Sequence, residues 1–216
     1  MDFTAARHAM VDCQVRPSDV TNYGIIDAML SVPREQFVPK AQRAVAYSEA
    51  EIKLSDDRVM LPPRTFAKML EQSRMGPGDF VLDLAAGTGY SAAVFARLCA
   101  GVIALEADDG LLKQMNEAMA ALDIDSVVTL QGDLASGDAA HGPYDVIFIN
   151  GAVETVSEAL LDQLKIGGRL VAVFVEGAVG QCRVLVRSEN TSSSRYAFDA
   201  WAPILKGFER DVEFAF

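Results

Sequence analysis

From Phe80 onward the sequence alternates short apolar runs with segments of helical period, and that alternation points to a parallel sheet wrapped by helices. Phe80–Leu84, Gly101–Leu105, Ser126–Gln131, Tyr144–Ile149 and Gly168–Val175 read as strands. Helices are expected over Tyr90–Leu98, Gly110–Leu122 and Val156–Leu164. Cys182–Arg187 and a segment near Glu209–Phe214 read as final strands, antiparallel because no helix of adequate length separates them. The expected class is α/β: a Rossmann-like doubly wound sheet of about seven strands, mostly parallel and antiparallel at one edge, with an N-terminal helical extension. Within that extension Val20–Val32 has helical spacing with Ser18 or Asp19 as cap, and Pro33 and Pro39 bracket a turn. Pro62–Pro63 opens a helix over Arg64–Gln72, since proline is tolerated in a first turn. The division is thus 1–75, a helical cover on the substrate side, and 76–216, a cofactor-binding domain forming one compact unit. The Ser-rich stretch Thr191–Ser194 reads as a short turn.

Composition excludes several classes. A net charge of −11 with no basic stripe opposes binding to a phosphate backbone, so no nucleic-acid partner is expected. The longest apolar run, Leu170–Val175, is too short to span a bilayer, and no membrane partner is expected. The first ten residues lack the basic-then-apolar pattern of a secretory signal, and three scattered cysteines suit a reducing compartment, so a cytoplasmic location is expected. Cys13, Cys99 and Cys182 have no ligand spacing, and His8 and His141 stand alone, so no metal site is expected. Nothing in the sequence bears on oligomeric state.

The stretch Leu82-Asp83-Leu84-Ala85-Ala86-Gly87-Thr88-Gly89-Tyr90-Ser91-Ala92 carries the chemistry. Glycines after a buried strand let the chain turn close to a ligand, and the next helix opens with free N–H groups. Gly87-x-Gly89-x-x-Ala92 also satisfies the dinucleotide fingerprint, so a nicotinamide dehydrogenase is a competing reading. Three carboxylates favour a sulfonium cofactor. Asp83 ends the first strand of the sheet, where a negative charge suits a cation and opposes a pyrophosphate. Glu106 follows the second, placed to accept from ribose hydroxyls. Asp133, after Gly132, follows the third, placed to accept from an adenine amino group. The bland reading of each is a helix cap or a solvated turn. All three stand where open α/β sheets bind ligands.

These motifs resemble those of S-adenosyl-L-methionine-dependent methyltransferases, with Tyr144–Phe148 and Leu164–Leu170 completing the set. More narrowly, Val32-Pro33-Arg34-Glu35-Gln36-Phe37-Val38-Pro39 with Gly87-Thr88-Gly89-Tyr90-Ser91 resembles the protein-L-isoaspartate O-methyltransferases, over about residues 20 to 176. The resemblance implies S-adenosyl-L-methionine as cofactor and the α-carboxylate of isoaspartyl residues in damaged peptides or proteins as acceptor. It implies that Asp83, Gly87 and Gly89 surround the methionyl part, Glu106 the ribose and Asp133 the adenine. Ala85, Ala107, Gly132, Leu134 and Asn150 complete the implied lining.

The acceptor side departs from that pattern. The family's loop reads Gly-Gln-Thr-Ile-Ser, one residue, then proline. Anchored on Pro63, it falls here on Asp57-Arg58-Val59-Met60-Leu61-Pro62, so threonine and serine become Val59 and Leu61. After the fourth strand of the sheet, Asn150-Gly151-Ala152-Val153 replaces a small-small-Pro run. Arg58 or Arg64 is a candidate to grip a carboxylate in place of the hydroxyls, although both read first as solvated residues. A carboxylate acceptor is already ionised, so no general base is required and no catalytic side chain is singled out. Two alternatives follow: a methyltransferase acting on another acceptor, such as a small molecule, or a cofactor-binding module without catalysis.

Overall fold

The computed structural model describes residues 1–189 and 191–210. Helices α1 (Phe3–Met10) and α2 (Tyr23–Ser31) come first, then a small hairpin of β1 (Ile52–Lys53) and β2 (Val59–Met60), then α3 (Pro63–Ser73). The sheet follows: β3 (Phe80–Leu84), α4 (Tyr90–Phe95), β4 (Gly101–Glu106), α5 (Asp109–Ala121), β5 (Val127–Gln131) and β6 (Tyr144–Val153). Helix α6 (Glu158–Leu161), β7 (Leu164–Glu176), β8 (Val179–Arg187) and β9 (Ser192–Asp199) complete it. The seven strands lie in the order β5-β4-β3-β6-β7-β8-β9; β5 to β7 are parallel, and β8 runs antiparallel to both of its neighbours, β7 and β9.

The alternation of side chains along a strand explains both the core and the site. Leu82 and Leu84 of β3 point to one face with Ile147 and Ile149 of β6. That face is closed by Leu160 of α6 and by Leu205 and Phe208 from the segment after β9. Val81 and Asp83 point to the other face with Val146 and Phe148, under the N-terminal helices, α3 and α4. There Phe66 stacks on Phe95 and both meet Phe148 edge to face, with centroids 5.0–6.0 Å apart, joining α3, α4 and β6. Since β4 and β6 flank β3 on opposite sides, the carboxyl ends of β3 and β6 open a crevice at the point where the strand order reverses.

Four expectations are corrected. Thr191–Ser194 is not a turn: Ser192 begins β9, an edge strand whose exposed polar start pairs with β8 and whose Ala197 and Phe198 anchor it on the core. The helix expected over Val156–Leu164 is only one turn, because Leu164 is drawn into pairing with Tyr144 and begins β7. Asn22, not Ser18 or Asp19, caps α2: its side chain accepts from Gly24, while Ser18 donates back to Gln14 and Asp19 adopts a left-handed conformation. Finally, the N-terminal part contains the β1–β2 hairpin and short 3₁₀ turns at Arg34–Gln36 and Lys40–Val45 as well as helices. The strand expected near Glu209–Phe214 lies largely outside the described residues; Glu209 and Arg210 are in no strand.

Phe95 is fully buried between Phe66 and Phe148. Phe95→Ala is expected to cost about 3–5 kcal/mol, read as a lower urea midpoint at unchanged slope.

Candidate active site

The loop between β3 and α4 makes its turn with left-handed residues at Ala85 (φ 55°), Gly87 (φ 58°) and Gly89 (φ 94°). Two are glycine, for which this costs little; Ala85 holds it against its own Cβ, at about 1–2 kcal/mol. Gly89 is also crowded: a Cβ there would stand 2.8 Å from Met115 and Met119 of α5. Such strain is retained where backbone must face a ligand.

Asp83 lies beneath this loop, wholly buried. It accepts from Ser91 Oγ at 2.7 Å and Asn150 Nδ2 at 2.6 Å, and Asn150 also donates to the carbonyl of Leu84. The register places Asn150 here, two residues beyond Phe148, the partner of Asp83 across the β3–β6 pair. Burial pushes the Asp83 carboxyl up to about 7, against the pull of its two hydrogen bonds and with the negative charge of Glu106 adding to the rise. Both partners are neutral, and no cation among the described residues pairs with this carboxylate.

Glu106 ends β4 and is also fully buried. Its Oε2 accepts from the Gly87 amide at 2.9 Å. Its Oε1 accepts from the amides of Ala107 (2.8 Å) and Asp108 (3.1 Å) and from Arg58 Nε (3.1 Å). Arg58 is therefore not a solvated loop residue; it is 4% exposed and reaches Glu106 from the hairpin. The residue directly after β1 anchors the hairpin on the loop: Leu54 lies where a Gly87 side chain would be, 2.8 Å from the ideal Cβ. Arg64 remains on the surface, half exposed and 3.9 Å from Glu49.

The other expected residues fall into two neighbouring spaces. Ala85, Gly87 and Asn150 line a small cavity of ≈ 20 Å³ together with Val59, Leu61, Phe66, Arg34 and Tyr90. Ala107, Asp133 and Leu134 border an open cleft of ≈ 590 Å³ with Asp57, Arg58, Asp108, Lys206 and Gly207. Gly132 continues the end of β5, its amide donating to the Glu106 carbonyl at 3.2 Å. Asp133 is exposed and turns its Oδ2 to the amide and hydroxyl of Ser136, which is the bland role allowed for it. Pro62 directly precedes α3 and does not line the cavity. Sequence reasoning gave no role to Ser91, Arg34 or Tyr90. Ser91 and Tyr90 stood within the quoted glycine motif and Arg34 within the Val32–Pro39 segment, but nothing local signalled their burial.

A buried carboxylate that lacks a counter-charge, at the reversal of strand order beside a strained loop, suits a ligand carrying positive charge. Chain comparisons agree with that chemistry. The family model for protein-L-isoaspartate(D-aspartate) O-methyltransferase matches residues 6–199. The protein-L-isoaspartate O-methyltransferase of Roseiflexus castenholzii is 34% identical over 194 residues, covering 90% of this chain and 87% of that protein. That of Methylorubrum extorquens is 35% identical over 209 residues, covering 95% of this chain and 91% of that protein. A solved protein-L-isoaspartate O-methyltransferase superposes with a TM-score of 0.80 at 24% identity, covering 93% of this chain and 66% of that one. A Plasmodium falciparum structure in complex with S-adenosyl-L-homocysteine superposes equally well, TM-score 0.80 at 19% identity, over 93% of this chain and 98% of that one. At these identities the two structures speak for the fold.

The ion pair of Arg58 and Glu106 gives an asymmetric expectation. Glu106→Ala leaves the Gly87, Ala107 and Asp108 amides without their acceptor and the buried guanidinium with only Asp57, 3.4 Å away, and is expected to cost about 3–5 kcal/mol. Arg58→Met should cost clearly less, because Glu106 keeps three backbone donors. Urea denaturation of the two variants checks the order.

Proposed function

The chain belongs to the protein-L-isoaspartate(D-aspartate) O-methyltransferase family, and we propose that it transfers a methyl group from S-adenosyl-L-methionine to the α-carboxylate of isoaspartyl residues in peptides or proteins. The observation that carries this reading is the buried, uncompensated Asp83, fixed by Ser91 and Asn150 at the carboxyl end of β3. When bound, the cofactor supplies a methyl group on a cationic sulfonium. Asp83 offers that positive end the counter-charge the protein withholds, and Asn150 and Ser91 keep the carboxylate aimed. Gly87 lets the backbone approach, and Ala85 lines the same wall. Glu106 serves the ribose: its Oε2, with one donor, keeps a lone pair for a hydroxyl, and Arg58 must release Oε1 before that oxygen takes another. Ala107, Asp133 and Leu134, with Gly132 behind them, border the open cleft on the adenine side.

The transfer itself is an in-line displacement: the acceptor oxygen forms a bond to the methyl carbon as the carbon–sulfur bond breaks, and the electron pair leaves with sulfur. No proton moves, since the acceptor is ionised near neutral pH. The chain's task is approach and exclusion of water. The hairpin does the second with Leu54, Val59, Met60 and Leu61, whose side chains close the cavity over Asn150 and Gly87. The lost hydroxyls of the family's loop make this wall wholly apolar. That specific observation supports a second reading in which the acceptor is another carboxylate-bearing molecule, one of lower polarity.

Radiolabelled S-adenosyl-L-methionine with an isoaspartyl peptide, and its normal aspartyl twin as control, tests the proposal. Selective, base-labile incorporation is expected; cofactor binding without incorporation would move the acceptor to the second reading. Cofactor binding should also be proton-linked. With Asp83 at about 7, affinity is expected to rise with pH below that value and to level above it, because only the ionised form meets the cation. Asp83→Asn should flatten the profile in calorimetry.

A further inference from the structure

Charged groups sealed inside a protein are ordinarily paired, because transfer of an isolated ion from water is expensive. Arg34 breaks that pattern. It is fully buried, yet its hydrogen bonds go only to the carbonyls of Ala46 (from Nε, 2.8 Å) and Leu61 (from Nη2, 2.8 Å). No carboxylate pairs with it among the described residues; the neighbouring Glu35 is taken by Arg7 and Tyr47. The guanidinium stacks on the Tyr90 ring, 4.7 Å from its centroid. Three buried side-chain polar atoms lack a hydrogen-bond partner among the described residues, and two of them are Arg34 Nη1 and the Tyr90 hydroxyl. Both residues line the same cavity, the one bordered by Asn150, Gly87 and the apolar hairpin wall.

We propose that Arg34 and Tyr90 form the seat for the acceptor's carboxylate, with Arg34 Nη1 and the Tyr90 hydroxyl donating to one of its oxygens. This rests on the methyltransferase reading above and names the acceptor side of the same site. The chemistry is complementary across one small space. On one side stands Asp83, a carboxylate without a cation, reached through Ser91 and Asn150. On the other stands Arg34, a cation without a carboxylate. A methyl donor is positive and a carboxylate acceptor negative, so each reactant meets the charge its side lacks. The cavity's ≈ 20 Å³ matches a single oxygen atom. The other carboxylate oxygen, left without these donors, keeps its lone pairs for the methyl carbon. The seat also replaces what the loop lost: Val59 and Leu61 offer no hydroxyl, but the Leu61 carbonyl holds Arg34 Nη2 and so fixes the guanidinium in place. Arg34 is thus the binding group, and neither Arg58, bound to Glu106, nor Arg64, on the surface, fills that role.

Tyr90→Phe is the decisive variant, because it removes only the hydroxyl, which lies beside the Arg34 guanidinium and has no other partner among the described residues, and keeps the ring under Arg34. Arg34→Lys is the second, with its fold checked first, since Arg34 also holds two carbonyls. In the S-adenosyl-L-homocysteine-loaded protein, Tyr90→Phe is expected to weaken binding of an isoaspartyl peptide about tenfold. The affinity for S-adenosyl-L-homocysteine and the melting temperature should stay unchanged. In turnover the loss should appear in KM more than in kcat. The preference for the α-carboxylate over its carboxamide analogue, measured by competition, should shrink by a similar factor. A merely structural Tyr90 would leave that preference untouched. Turnover by wild type with unchanged KM and preference in Tyr90→Phe would overturn the seat and leave the function standing, and the two donors would then serve only a buried water. Peptide binding that weakens in Tyr90→Phe, in a wild-type protein that does not turn the peptide over, would overturn the function and keep the seat. No binding of isoaspartyl peptide or of succinate to the loaded wild type would overturn both.

Discussion

Glu106 receives four hydrogen bonds from three separate stretches of chain, and the geometry of the crevice follows from that convergence. Its carboxylate joins the Gly87 amide of the β3–α4 loop, the Ala107 and Asp108 amides that lead into α5, and Arg58 of the hairpin. A dehydrated carboxylate is tolerated only when its oxygens are met by donors. The loop therefore cannot relax away from β4, α5 cannot shift its start, and the hairpin is held down over the cavity. With the loop fixed, Ala85 keeps its left-handed strain, and Leu54 rests against Gly87. One acidic residue at a strand end thus sets the position of the lid as well as that of the floor.

Much of this architecture was legible in the sequence because parallel strands buried on both faces read as uninterrupted apolar runs. Phe80–Leu84 and Gly101–Glu106 are cases where strand and run nearly coincide. Elements that obey weaker local signals were missed. Ser192–Arg195 carries no apolar side chain, and only pairing with β8 makes it a strand; the segment is set by its neighbour, not by its own period. The one-turn α6 has helical spacing beyond its end, but Leu164 gains more from joining Tyr144 across the sheet. Asn22 displaces Ser18 and Asp19 as cap because Ser18 is engaged with Gln14. Competition between a local and a tertiary bond is invisible along the chain.

The same distinction holds within the site. Asp83, Glu106 and Asn150 announce themselves by position, each at or just beyond a strand with a glycine turn nearby. The burial of Arg58 does not, because its partner lies 48 residues away in sequence. Read locally, an arginine between two aspartates and a valine is a solvated loop residue. Arg34 is the sharper case. The segment around it resembles its family, yet nothing in Val32–Pro39 shows that the guanidinium lies under Tyr90, fully enclosed and without a carboxylate. The dinucleotide fingerprint at Gly87 to Ala92 illustrates the converse. A legible motif left two cofactors open, and it is the buried charge of Asp83, hostile to a pyrophosphate, that separates them physically.

An apolar wall in place of the hydroxyls of the family's loop pattern need not weaken methyl transfer. The reaction joins a sulfonium cation to a carboxylate anion and yields two neutral products, so charge is lost along the path. Charge-neutralising steps gain from a medium of low dielectric, in which water no longer competes for the separated charges. Val59 and Leu61 supply such a medium directly above Gly87 and Asn150. The cost falls on bringing two charged reactants into that space, and on the reading proposed above fixed protein charges offset it: Asp83 for the cation, and a buried guanidinium on the far wall for the anion. An orienting hydroxyl on the loop becomes dispensable if orientation comes from below, from groups held rigid by the sheet and α4. The loop is then free to do one thing, which is to exclude water. Its anchoring through Arg58 ties the position of the wall to Glu106, the same carboxylate that fixes the glycine loop from below.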